Sequence, residues 1–373
     1  MRQVGDRMIK VMVVDDSVFM RKMITKMLEK EKDIEIVAIA KNGKEAVELN
    51  LKHSPDVITL DIEMPVMNGL EALKEIMNTK PTKVIMLSSL TIEGARETIK
   101  SLELGAFDFL SKPDGKSISL NIGKVEEELL ELVRTAANVN AALLTKKIKF
   151  ELKPKLTSGP SFSEQMSKKL FAGSPEKIIA IGISTGGPKA LQTVIPKIPK
   201  DINAGILIVQ HMPPKFTKSL AERLDELSEI SVKEAEEGEV IERSKAYIAP
   251  GNFHMEVKGN GNGKKYITLN QKDPSQGHRP SVDVLFRSAA NSAGRNAIGV
   301  IMTGMGKDGA AGMLEMHKAG AYNFAQDEAS CVVFGMPKEA IAAGGVDEIV
   351  SLNDMARCVL SKLSGMGKHT NRI

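Results

Sequence analysis

The chain has 373 residues, 42% of them hydrophobic, so more than one buried core and two domains are expected. Its formal charge of +4, its 4% aromatic content and the lack of a dense basic block argue against nucleic acid as a partner. Two cysteines, Cys331 and Cys358, suit a reducing cytoplasm; no secretory leader is read at the start, and no apolar run reaches the ~18 residues of a membrane span.

From Ile9 to about Leu144, short apolar runs alternate with segments of helical period. The runs cover 11–14, 34–38, 57–60, 84–87 and 107–110. Between them, 19–30, 43–51, 69–78 and 94–104 repeat apolar side chains three and four apart. Five such units predict a parallel, doubly wound sheet, closed by a helix over 125–143. Asp15 and Asp16 end the first strand, and Asp61 lies just past the third. The carboxyl ends of an open parallel sheet share the edge where ligands bind. Three carboxylates there repel one another unless a hard cation sits among them, and Mg²⁺ takes such oxygen ligands. Ser88 follows the fourth strand and Lys112 the fifth. A nucleophilic carboxylate, a cation and an ammonium group are equipment for accepting a phosphoryl group, although an aspartate after a strand also suits a helix cap.

This half resembles the receiver domains of two-component signalling over residues 8–130. Val14-Asp15-Asp16-Ser17, Leu60-Asp61-Ile62-Glu63-Met64-Pro65 with Asn68-Gly69, Leu87-Ser88-Ser89 and Lys112-Pro113 carry the likeness. It implies that Asp61 is phosphorylated, that Asp15 and Asp16 hold Mg²⁺ together with Asp61, and that Ser88 and Lys112 respond to the phosphoryl oxygens. Phe109 stands at the switch-aromatic position, where tyrosine is frequent in the family.

Residues 131–175 read as the end of the closing helix and a linker. From Lys146 to Lys177 the chain is rich in lysine, serine and proline, with one short helix expected around 162–171. The alternation then resumes. Ile178-Ile179-Ala180-Ile181 runs into Gly182-Ile183-Ser184-Thr185-Gly186-Gly187-Pro188, a strand that ends in a sharp turn with the G-x-S-x-G spelling. Strands are expected at 206–209, 246–249 and 298–302, helices at 216–227, 282–293 and after Gly309. A hairpin is expected from 253–257 and 266–269 through a glycine-rich turn. The polar tail, 363–373, is expected to fray.

Ser184, His211 and Asp308 each follow an apolar strand of this second half. Were those strands parallel neighbours, serine, imidazole and carboxylate would meet at one edge. Acyl transfer uses that constellation: histidine takes the serine proton and aspartate holds the histidine tautomer. The chain order differs from the Ser–Asp–His order of α/β-hydrolases. Other readings stand beside it: a core histidine at 211, a helix cap at Asp308, or a phosphate cradle at Gly304–Gly309. His254, His278 and His317 compete as bases, but none follows a clear strand. His278-Arg279-Pro280-Ser281 reads as a loop lining a cleft, with Asp283 capping the helix at 282–293.

Residues 176–362 resemble the chemotaxis methylesterase catalytic domain. The likeness rests on Ile181–Pro188, Gln210-His211-Met212-Pro213-Pro214, Ala249-Pro250-Gly251-Asn252, His278–Asp283 and Thr303–Gly309. With a receiver in front, the whole chain resembles the CheB family of protein-glutamate methylesterases. That implies Ser184 as nucleophile, His211 as base, Asp308 as its orienting partner, and Thr185 with the Met305 backbone at the oxyanion. It also implies hydrolysis of glutamate γ-methyl esters on chemoreceptors with release of methanol, and in the family a companion deamidation of glutamine. A chemotaxis histidine kinase is the implied phosphodonor; the esterase itself needs no cofactor. The rival classes are a receiver-controlled nucleotide-binding module and a receiver-type transcription factor. Neither glycine loop spells G-x-G-x-x-G or a P-loop lysine motif, and no helix-turn-helix stands out.

Overall fold

A computed structural model of the chain describes residues 7–112, 118–139, 177–259 and 263–366. The chain divides into two units, Met1–Lys147 and Ile148–Ile373. The expected linker helix at 162–171 lies outside the described residues.

In the first unit, β1 (Ile9–Val14), β2 (Ile34–Ala40), β3 (Val57–Asp61), β4 (Lys83–Ser88) and β5 (Asp108–Ser111) form a parallel sheet in the order β2-β1-β3-β4-β5. Helices α1 (Val18–Leu28), α2 (Gly43–His53), α3 (Gly69–Thr79) and α4 (Ile92–Leu104) connect the strands, and α5 (Ile118–Asn138) follows them. Local chemistry starts each connecting helix. Ser17, Asn42, Asn68 and Thr91 accept from amides in the first turns of α1 to α4, and Asn68 with Glu71 makes a reciprocal capping box. The central strand β3 is buried along its whole length, as a strand covered on both faces must be. The strand order reverses at β1 and β3, so Asp15, Asp16 and Asp61 come together at the switch point. The closing helix begins seven residues earlier than the apolar period suggested, and the described unit extends beyond residue 130 to Val139.

The second unit is built on a seven-stranded parallel sheet. Its strands are β6 (Ile178–Ile183), β7 (Gly205–Gln210), β8 (Ser231–Glu234), β9 (Lys245–Ile248), β12 (Ala297–Ile301), β13 (Tyr322–Gln326) and β14 (Glu348–Val350), in the order β14-β13-β12-β6-β7-β9-β8. The chain starts in the middle at β6, builds outward on one side through β7, then crosses to β12 on the other. A separate antiparallel hairpin, β10 (His254–Gly259) and β11 (Lys265–Asn270), packs against the helix Val282–Ala293. The helices are α6 (Gly187–Val194), α7 (Phe216–Leu227), α8 (Val282–Ala293), α9 (Ala310–Lys318), α10 (Met336–Ala342) and α11 (Met355–Gly365). The core gathers Leu207, Val209, Tyr247, Met255, Val257, Leu285, Phe286, Ile301 and Met313, so sheet, hairpin, α8 and α9 share one apolar interior. Both units therefore have the α/β, parallel-sheet architecture expected, the second with its hairpin.

Two expectations need correction, and several elements were missed. Residues 363–365 do not fray but complete α11, and Lys177 Nζ donates to the carbonyls of Leu363 and Met366. Strands β8, β13 and β14 and helices α6, α10 and α11 were not anticipated. Ser281, not Asp283, is the N-cap of α8, its hydroxyl accepting from the Val284 amide.

One glycine ties the site's strand to its neighbours. A Cβ on Gly182, in β6, would stand 2.1 Å from Val282 Cγ1 and 3.1 Å from Phe286 Cζ. Gly182→Ala is expected to destabilise the second unit by about 1–3 kcal/mol through overpacking. Urea unfolding checks it, and an unchanged midpoint refutes it.

Candidate active site and phosphoryl-acceptor pocket

In the first unit Asp15 is fully buried, Asp61 nearly so, and Asp16 exposed. Lys112 Nζ lies 2.8 Å from Asp15 Oδ2 and 2.7 Å from Asp61 Oδ1, bridging the two buried carboxylates. Asp15 Oδ1 accepts from the Ser17 amide, and the Arg21 guanidinium donates to the carbonyls of Asp15 and Asp16, which fixes the loop after β1. Burial pushes the Asp61 carboxyl up to about 6; Lys112 opposes the rise, and the charges of Asp15 and Asp16 add to it. Burial would lower the Lys112 ammonium, but its hydrogen bonds to Asp15 and Asp61 outweigh that and hold it above its ordinary value.

One ligand atom from each of Asp15, Asp16 and Asp61 falls within 4.8 Å of the others. Three converging carboxylates, one with its acidity suppressed chiefly by burial, fit a hard divalent cation. Beside them opens a cavity of about 380 Å³ lined by Asp16, Asp61, Glu63, Ser88, Ser89 and Lys112. The Ser88 hydroxyl donates to the Gly94 carbonyl and accepts from Thr98, while Phe109 is buried.

In the second unit, β12, β6 and β7 are adjacent parallel strands. Asp308, Ser184 and His211 follow their respective carboxyl ends, so all three residues sit on one edge. Ser184 donates its amide to the Thr303 carbonyl, and His211 donates its own to the Ile183 carbonyl. The turn after β6 is made by Gly186 with φ of 75°, and Ser184 itself needs no left-handed backbone. A Cβ on Gly304 would stand 2.8 Å from Ser184 Cβ and 2.3 Å from Met336 Sδ, so only glycine lets the loop after β12 pass this close to the serine.

His211 Nε2 and Asp308 Oδ2 are 2.8 Å apart. Asp308 is buried, yet its carboxyl is held below the usual range: burial raises it, but the bond to His211 and the amides of Val282 and Asp283 prevail. Its oxygens also accept from the Ser281 hydroxyl. Because Asp308 engages Nε2, the other ring nitrogen, Nδ1, remains to act as base. That atom is buried and has no hydrogen-bond partner, the Ser184 hydroxyl included. Catalytic hydrogen bonds are often long before substrate binds.

The two aspartates exchange helices. Asp308, just before α9, accepts from amides that open α8, while Asp283, inside α8, accepts from the amides of Gly309 and Gly312 at the start of α9. Helix N-termini carry unsatisfied donors and favour negative charge, so each carboxylate serves the helix across from it.

The contacts of several residues of the site were not anticipated from sequence. Gln210 Nε2 donates to the carbonyls of Ser184 and His211. The Thr303 hydroxyl bridges the Thr185 carbonyl and the Val333 amide, and Gln326 Oε1 accepts from the Thr303 amide. Met305 follows Gly304, whose amide donates to Val333 and whose carbonyl accepts from Gly335 and Met336. The ring of His278 stacks on that of His211 with centroids 3.9 Å apart and planes within 9°. His254 Nε2 donates to the Asp273 carbonyl and His317 pairs with Asp347, so neither joins this edge.

Residues 179–359 match the CheB methylesterase domain profile and residues 11–120 the response regulator receiver domain profile. A protein-glutamate methylesterase/protein-glutamine glutaminase of Nitrosomonas europaea is 49% identical over 98% of this chain and 99% of its own length. The chain belongs to that family. A relative of the same name from Pyrococcus horikoshii is 46% identical over 97% of each chain. The crystal structure of the Thermotoga maritima CheB methylesterase catalytic domain is 45% identical, covers 50% of this chain and 98% of its own, and has a TM-score of 0.49. As a family member the chain thus joins a receiver to a methylesterase domain. Among the described residues, no helix is long and apolar enough to cross a membrane.

Proposed function

We propose that the second unit is a serine esterase that hydrolyses glutamate γ-methyl esters on chemoreceptors, in the cytoplasm, and that the receiver controls it. The observation that carries this reading is the placing of Ser184, His211 and Asp308 on the ends of three neighbouring strands, with Asp308 bonded to His211. Ser184 Oγ attacks the ester carbonyl while His211 Nδ1 takes its proton. The Asp308 carboxylate, bonded at Nε2, steadies the imidazolium. The oxyanion is received near Thr185 and the Met305 amide, in loops fixed by Thr303 and Gly304. The tetrahedral intermediate collapses, the C–O bond to methoxide breaks, and the imidazolium proton leaves with it as methanol. Water, deprotonated by His211, then adds to the acyl carbon; the bond to Ser184 Oγ breaks, the imidazolium returns its proton to Oγ, and the carboxylate is freed. The same steps on a glutamine side chain release ammonia. Covalent labelling by a fluorophosphonate confined to Ser184 supports this reading; labelling elsewhere, or none, refutes it.

In the receiver, Asp61 is the phosphoryl acceptor and a histidine kinase the donor. An Asp61 carboxylate oxygen forms the bond to phosphorus as the bond from phosphorus to the donor's phosphohistidine nitrogen breaks. Asp15, Asp16 and Asp61 would hold a Mg²⁺, which when bound would supply charge neutralisation for that transfer. Lys112 and Ser88 face the pocket that receives the new oxygens. Incubation with a small acyl phosphate and Mg²⁺ is expected to label the wild type with an alkali-labile phosphate, and Asp61→Asn or EDTA to abolish labelling. Phosphate that survives base would exclude an acyl phosphate.

A further inference from the structure

The stacked imidazole of His278 is a second aromatic group against the proposed base, and the esterase cycle above does not use it. We propose that His278 is a positioning residue for His211: its neutral ring face holds the base in plane and stabilises the imidazolium that forms as Ser184 loses its proton. This rests on the esterase reading.

The segment that carries His278 is tied down on both sides. The amides and carbonyls of Ser275 and His278 exchange two hydrogen bonds of 3.1 and 2.9 Å. The Asn252 amide donates to the Arg279 carbonyl. The Arg279 guanidinium grips Asn252 Oδ1 and the carbonyls of Gln271 and Lys272. The ring at 278 therefore lies against His211 because its backbone is fixed, and a parallel contact of 3.9 Å leaves no room for water between the faces.

The charge states suit the task. Burial first, and then the positive charge of His211, lower the His278 imidazole to about 4 against the pull of Asp308, so it is neutral near pH 7. An aromatic face attracts a cation laid over it. When His211 gains its proton, the contact changes from two neutral rings to a cation on a π face, an interaction stronger in the transition state than before it. Asp308 holds the Nε2 edge, and Asp283 accepts from Gly309 and Gly312 with Arg287 3.8 Å away. Arg279 is directed at Asn252 and the carbonyls of Gln271 and Lys272, while Lys307 and Lys215 are exposed.

The test is the pH dependence of kcat and kcat/KM for methanol release from a peptide bearing a glutamate γ-methyl ester, using the full chain. His278→Leu keeps the bulk and removes the π face. It is expected to lower kcat by roughly 2- to 30-fold, the range of a cation–π contact, with KM little changed. Its acid limb should move to lower pH, because the protonated base has lost its stabilising face. His278→Phe restores a neutral ring and is expected within about 3-fold of wild type by the same principle, with the acid limb in place. If the leucine variant is unfolded by circular dichroism, His278→Gln takes its place under the same criteria. An acid limb identical in wild type and the non-aromatic variant overturns the proposal, as does a phenylalanine variant as impaired as leucine. Fluorophosphonate labelling of the wild type separates the two readings: without labelling at Ser184 the esterase reading fails and this one with it. With labelling and coincident limbs, only the role of His278 is lost.

Discussion

Replacing Ser184 or His211 by alanine is expected to lower the rate of methyl-ester hydrolysis by roughly 10³- to 10⁶-fold, or about 4–8 kcal/mol of transition-state stabilisation. The two variants should be nearly as impaired as the double variant, because nucleophile and base act as one unit. Fold and stability should change far less. Ser184 is only partly buried, and its backbone bonds to Thr303, Gln210 and Gly187 do not involve the hydroxyl. What survives should come from substrate binding and the oxyanion loops. The measurement is methanol release from methylated receptor membranes, with circular dichroism confirming the fold. A folded Ser184→Ala protein that keeps a tenth of wild-type turnover would remove the serine mechanism altogether.

Much of this architecture was legible in the sequence because its central strands are buried on both faces. Residues 178–183 and 205–210 are apolar almost throughout, and each is followed by a polar residue where the strand leaves the sheet. The helices over Phe216–Leu227 and Val282–Ala293 fall where their apolar period places them. The sheet's outer strands were not legible. Ser231–Glu234 and Glu348–Val350 are short, terminate the sheet, and carry charged residues that solvent tolerates at an edge. Tyr322–Gln326 hides behind Asn323 and Gln326, two buried polar side chains: Asn323 Nδ2 donates to the Met313 and Gly345 carbonyls, and Gln326 Oε1 accepts from the Thr303 amide.

At the site, the strand-end residues were visible one at a time, but their supports were not. Ser281, Thr303, Gln210 and Gln326 act through contacts with residues distant in the chain; the first three stand inside recognisable motifs, but nothing local reveals what they touch. The capping residues illustrate the limit. Asp283 and Asp308 each sit beside a helix start, and local rules assign each to its own helix. Packing the N-termini of α8 and α9 together exchanges them. That exchange makes Asp308 both a structural cap and a partner of the base.

Asp308→Asn is the sharpest probe of that double role. Oδ1 accepts from the Ser281 hydroxyl and the Asp283 amide, and Oδ2 from His211 Nε2 and the Val282 amide. An asparagine must put its NH₂ group in one of the two places. At the Oδ2 place it faces His211, and the imidazole must turn its lone pair toward it; the proton then moves to Nδ1, the atom needed as base. At the Oδ1 place it faces the Asp283 amide, and the negative charge that steadies the imidazolium is gone. Either way kcat is expected to fall by roughly 10²- to 10⁴-fold. A backbone donor left unpaired in a buried site should cost about 1–3 kcal/mol of stability. The pH dependence has a definite sign. Because the folded Asp308 carboxyl lies below its ordinary value, its stabilisation is complete above the unfolded value of ~3.9 and fades as pH falls through the folded one. The stability gap between wild type and Asp308→Asn should therefore be full at pH 7 and shrink only in strong acid. Urea midpoints across that range, read beside kcat at pH 7, test both roles. A variant that keeps a tenth of wild-type kcat would show that Asp308 does not set the histidine tautomer, and an equal midpoint at pH 7 would show that its cap on α8 contributes nothing.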